Sequence, residues 1–113
     1  MRRRTPEDRY KDLIRTQRRT LEDFLEQEID WANSLLMLYR CKKQEIPDDE
    51  YRVCAFFLNK EFVRKPGSLA LLYGTFMSCQ DELPKVTKEN AFDVLAYRYR
   101  VYAQALRTGG FDG

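Results

Sequence analysis

The chain of 113 residues contains no histidine. That removes the imidazole general base, the Ser-His-Asp and Cys-His arrangements and the mixed His/Cys metal sites. Cysteine is scarce. Cys41, Cys54 and Cys79 are odd in number and far apart, with no CxxC pair. A disulfide scaffold is therefore excluded, and a reducing, cytoplasmic setting is expected. Five glycines and four prolines are too few for a collagen-like or low-complexity chain. Neither GxxxxGK[ST] nor GxGxxG occurs, so nucleotide binding has no support. The apolar run Ser34–Tyr39 is far short of the roughly 20 residues that span a bilayer. The opening MRRRTPEDRY has no apolar core of a secretory signal. No membrane contact, no metal and no cofactor are expected, and nothing assembles a catalytic constellation.

What remains is a balanced globular composition. Hydrophobic residues make up 43% and charged residues 34%, the formal net charge is +2 and the mean hydropathy is −0.64. Seven Tyr, seven Phe and one Trp supply large apolar surfaces to a chain short enough to have only a modest core.

The apolar positions follow a helical period. Tyr10, Ile14, Gln17, Leu21, Phe24, Glu28, Trp31, Leu35 and Leu38 recur at steps of three and four. No Gly or Pro interrupts residues 7–46. Thr5-Pro6-Glu7-Asp8 supplies a cap, a first-turn proline and two acids at the positive end of the dipole. One helix over 6–43 is predicted, unbroken at Thr20. Pro47-Asp48-Asp49-Glu50 opens a second, over 47–64. Lys65-Pro66-Gly67-Ser68 reads as a type II turn, with Ser68 capping a third over 68–83. Gly74 within it suggests close approach of a neighbouring helix. Thr87 caps a fourth over 88–107, closed by Gly109-Gly110. The fold expected is all-α: a single four-helix bundle with one long N-terminal helix, a basic arm at 1–5 and a frayed tail at 108–113. The last helix is apolar around most of its circumference, so it is either central or covered by a partner.

Charge is segregated along the first helix. Residues 1–19 hold Arg2, Arg3, Arg4, Arg9, Lys11, Arg15, Arg18 and Arg19 against Glu7, Asp8 and Asp12, a balance of +5. Residues 20–31 hold Glu22, Asp23, Glu26, Glu28 and Asp30 and no base. The basic end suits a sugar-phosphate backbone, and i,i+4 pairs such as Arg18–Glu22 offer a purely structural use. In the last helix Tyr97, Arg100, Gln104 and Arg107 share a face, the mixture a phosphate groove with a stacking platform requires. The nucleic-acid contacts expected are Arg2, Arg3, Arg4, Arg9, Arg15, Arg18, Arg19, Arg100 and Arg107. Tyr97, Tyr102 and Trp31 are the candidates for a protein partner. Glu28, inside the apolar stripe, reads as a tolerated polar position, with the setting of register against an Arg of another chain as the alternative.

Two readings follow. One is a non-catalytic small helical subunit of a larger nucleoprotein complex, holding RNA or DNA by its backbone. In size and helical class the chain is similar to the small subunits of CRISPR effector complexes. The other is an adaptor or inhibitor that docks on a larger protein, or on a second copy of itself, through the aromatic-rich last helix. Leu38-Tyr39-Arg40 resembles the name-giving motif of the LYR family in three residues. That motif opens a first helix, whereas here it closes one, so no membership follows.

Overall fold

The computed structural model describes residues 6–79, 82 and 84–109, with side chains from residue 20 onward. Four α-helices follow in chain order: α1 (Pro6–Cys41), α2 (Asp48–Leu58), α3 (Pro66–Cys79) and α4 (Ala91–Gly109). A 3-10 turn (Glu61–Val63) links α2 to α3. No strand occurs among the described residues. The protein is an all-α four-helix bundle.

The helix α1 runs unbroken past Thr20 for 36 residues, on the order of 54 Å. Its buried positions Phe24, Glu28, Ala32, Leu35 and Tyr39 repeat at three and four, the stripe that faces a core. It ends in a Schellman arrangement: the amide of Gln44 donates to Tyr39 O (3.0 Å) and that of Lys43 to Arg40 O (3.0 Å). Lys43 takes the left-handed position, with φ 55°.

The second helix is shorter than its sequence suggests. It stops at Leu58 rather than 64, because Lys60 adopts φ 53° and its amide turns back to Phe57 O. Both turns use lysine where glycine is the usual left-handed residue. The expected type II turn at Lys65–Ser68 is also corrected. Pro66 is the first residue of α3, where its fixed φ and missing N–H cost nothing. Lys65 O accepts the Leu69 amide, and Ser68 is buried inside the helix instead of capping it. The helix is described as far as Cys79, and Glu82 already stands in a turn.

The last helix begins at Ala91, three residues later than expected. Thr87 and Asn90 form a reciprocal pair: Thr87 N donates to Asn90 Oδ1 (2.7 Å) and Asn90 N to Thr87 Oγ1 (3.3 Å). This is a capping box with Thr87 in the cap position, as expected, and Asn90 O accepts the Val94 amide where the regular helix begins. The apolar circumference of α4 has an internal explanation. It packs against α1, α2 and α3, and buries Val94, Leu95, Tyr99, Tyr102, Ala103 and Leu106. It is the central helix.

The core is aromatic. Phe24 meets Tyr73 and Phe76 at 5.2 Å and Phe57 edge-on at 6.1 Å, joining α1 to α2 and α3. Such contacts each add about 0.5–1.5 kcal/mol beyond area burial. No helix is long and apolar enough to cross a membrane, among the described residues.

Candidate functional site

Four helices place the chain's charged residues in two very different settings. One set lies on the surface. On α4, Tyr97, Arg100, Gln104 and Arg107 are all exposed, at the i, i+3, i+7, i+10 spacing of one helix face. Tyr97 leaves 52% of its surface in water, enough for a planar ring to stack on it. Arg100 folds its Nε back onto Ala96 O at 3.3 Å. Arg107 pairs with Asp49 of α2 at 3.3 Å, so its charge is partly answered within the chain. Its side chain is still 56% exposed.

The arm of α1 is the other basic element. The side chains of Arg9, Arg15, Arg18 and Arg19 lie outside the described residues, as do Arg2, Arg3 and Arg4 altogether. The helix that carries residues 6–19 is continuous with the packed segment, whose described core contacts begin at Leu21.

The second setting is buried. Glu28, at 0% exposure, faces α4 and receives Arg98, Tyr99 and Tyr102. Arg98 donates through Nε at 2.9 Å and through Nη2 to Glu28 Oε1. Tyr102 Oη donates to the same oxygen at 2.9 Å. Tyr99 Oη lies 3.0 Å from Glu28 Oε2 and 2.8 Å from Glu28 O. The guanidinium sits between rings, 4.3 Å from the Trp31 centroid and 4.8 Å from that of Phe76. Burial pushes the Glu28 carboxyl up from the ordinary carboxylate range, while the Arg98 charge and the three side-chain donors pull it down. Burial and the neighbouring Glu28 charge raise both tyrosine hydroxyls, which stay protonated as donors.

Glu28 is thus no tolerated polar position. It is the acceptor of a closed intramolecular network, in which no described buried side-chain N or O lacks a partner. Tyr102, nominated for a partner, is corrected as well: it is 1% exposed and its hydroxyl is engaged. Trp31 is half-buried and covers Arg98. Beside it opens a cleft of about 300 Å³, lined by Gln27, Trp31, Phe76, Lys85 and Arg98 among others.

Arg98 is not among the residues expected to carry function. A signal was present. Arg98 stands three residues after Leu95 and four before Tyr102, on the buried face of α4. A base inside one apolar stripe and an acid inside another is the pattern of a buried pair.

Chemically, this arrangement holds a buried charge pair fixed between two helices. Cys54 is buried, pushed up to about 12 mainly by burial, and its Sγ rests on Ala32 O at 3.9 Å. Its thiol stays protonated and inert. No cluster of three or more His, Cys, Asp or Glu that could hold a metal ion occurs among the described residues. The chain matches no family model, no curated protein and no solved structure.

Proposed function

We propose that the protein is a non-catalytic small subunit of a nucleoprotein assembly, gripping a sugar-phosphate backbone with α1 and the outer face of α4. The observation that carries this reading is the charge pattern of one continuous helix. Over residues 6–19 of α1, Arg9, Lys11, Arg15, Arg18 and Arg19 stand against Glu7, Asp8 and Asp12, Arg2, Arg3 and Arg4 precede the helix in sequence, and α1 continues unbroken into the packed segment at Leu21. A stiff helix holds its arginines at fixed spacing, which suits a periodic row of phosphates and needs no base-specific contact. Tyr97, Arg100 and Gln104 add an exposed aromatic between polar donors on α4. Arg107 contributes less, being paired with Asp49. Three free cysteines fit the reducing, cytoplasmic location of this reading.

Of the three residues expected to meet a protein partner in the adaptor reading, Tyr102 is core, Tyr97 is exposed and Trp31 is half-buried.

Fluorescence anisotropy with single- and double-stranded RNA and DNA oligonucleotides tests the proposal. Micromolar or tighter binding that weakens steeply with salt is expected, with a slope near −0.7 to −0.9 per phosphate neutralised, by order of magnitude. Replacing Arg15, Arg18 and Arg19 together by Glu should abolish it while the circular dichroism stays helical. No binding at low salt, or binding indifferent to the triple change, overturns the reading.

A further inference from the structure

Helix α3 stands apart in a chain that is one-third charged. Its 14 residues, PGSLALLYGTFMSC, include no Asp, Glu, Lys or Arg. One side of it is used: Ser68, Leu69 and Leu72 are buried, and Tyr73 and Phe76 pack on Phe24. The other side faces water without a charge. Ala70, Gly74, Met77 and Ser78 are exposed there. A shallow groove of about 450 Å³ runs along Ala70, Leu71, Gly74, Thr75 and Ser78. Thr75 donates its hydroxyl to Leu71 O at 2.8 Å, so its polar atom is satisfied within the helix. An outward helix face in a soluble bundle normally carries charge.

Gly74 sharpens the point. Mid-helix glycine is unfavourable relative to alanine. A Cβ built on Gly74 meets nothing within 4 Å, so no neighbour among the described residues requires its absence. The expected close approach of a helix at Gly74 is not made by the described part of this chain.

The charges at the two ends of α3 name the occupant. Its start is preceded by Arg64 and Lys65, and its end is followed by Asp81 and Glu82. Arg64 and Glu82 are exposed, and neither is ion-paired among the described residues. A helix that is basic before its start, uncharged along its length and acidic after its end is complementary to itself when reversed. Two antiparallel copies related by a two-fold axis near residue 73 set Arg64 opposite the partner copy's acidic end, twice over. The two helix dipoles also oppose. We infer that the outer face of α3 is the interface of a homodimer, with a second copy of this chain laid antiparallel across Gly74. A single helix pair is smaller than the roughly 800 Å² per partner of a standard interface, so a weak, concentration-dependent association is expected.

Sedimentation equilibrium of the full chain at about 5–500 µM, in about 50 mM salt, tests this. The wild type is expected to shift from monomer to dimer across that range. Gly74→Arg projects a long side chain from the groove, where the single chain has room for it. It should leave the helical circular dichroism intact and raise the dissociation constant by about tenfold or more. Gly74→Ala is the folding control. Arg64→Glu should weaken the dimer, and Arg64→Glu with Glu82→Lys in the same chain should restore it, because reversal keeps the ends complementary. A wild type that stays monomeric at the highest concentration overturns the inference. So does a dimer indifferent to Gly74→Arg, or a double reversal no better than Arg64→Glu alone. These readouts contain no nucleic acid, so their failure is separate from failure of the proposed function.

Discussion

Glu28 and Glu50 are carboxylates buried in one bundle, at 0% and 2% exposure, and they are held by different means. Glu28 lies in the middle of α1, where every backbone N–H is already used by the helix. It is met by a full positive charge, Arg98, and by two tyrosine hydroxyls. Glu50 is the third residue of α2 and receives one side-chain bond, from Tyr39 Oη at 2.6 Å. Its position in the first turn adds a charge–dipole attraction. The first turn of a helix offers unpaired N–H groups and the positive end of the dipole, which favour an anion. A mid-helix carboxylate has no such help and needs a cation brought from another element. The comparison separates two ways of burying an acid: by backbone placement and by a charged partner 70 residues away in sequence.

The largest expected effect comes from removing that partner. Arg98→Met leaves Glu28 buried without its cation, at a cost of about 3–5 kcal/mol in urea denaturation. Glu28→Gln combined with Arg98→Met should recover more than half of the loss, because no ion is then stranded and the amide oxygen still accepts from Tyr102. A double variant no more stable than Arg98→Met would mean that the stacking of Arg98 on Trp31 and Phe76, rather than its charge, holds the helices together.

High pH should unsettle both acids together. Tyr39 beside Glu50, and Tyr99 and Tyr102 beside Glu28, all have hydroxyls raised by burial and by the carboxylates they serve. Cys54 is raised from 9.0 to about 12. Below the unfolded values, near 9 for the thiol and 10 for the phenols, both states keep these protons. Above them the unfolded chain releases protons that the fold retains. Stability is therefore lost as pH rises from about 9 through 12, at about 1.4 kcal/mol per pH unit for each such group. Thermal melts between pH 7 and 11 check this. A midpoint unchanged up to pH 11 would mean these groups do not titrate differently on folding.

Much of this fold was legible because it rests on period. The three-four stripe of α1, its continuity through Thr20 and the all-helical class follow from apolar spacing alone. The boundaries that failed did so for a local reason. Lys43 and Lys60 adopt left-handed conformations with no glycine to announce them, and Pro66-Gly67 reads as a turn in sequence but starts a helix. The buried cluster was half legible. Glu28 stood out as an acid in an apolar stripe, but its pairing with Arg98 depends on how α4 crosses α1, a long-range fact that spacing within one helix cannot encode. For the same reason Tyr97 and Tyr102, five residues apart, looked equivalent and are not: one is exposed and the other is core. The uncharged run of α3 was legible as composition, yet which side it left to solvent required the packed structure.

The smallest effect tests the less obvious half of the comparison. Glu50→Gln removes the charge at the start of α2 and keeps an oxygen for the Tyr39 hydroxyl. If backbone placement holds Glu50, the variant loses only the charge–dipole attraction, about 1–2 kcal/mol at a buried position and little changed by salt. Asp48 and Asp49 remain in the same turn and keep the helix start acidic. Glu28→Gln in the other cluster strands Arg98 instead, and should cost more. Denaturation of the two single variants, side by side at low and high salt, gives the ratio. Equal losses would mean that Glu50 depends on a charged partner as Glu28 does, and that the start of α2 contributes nothing special to holding it.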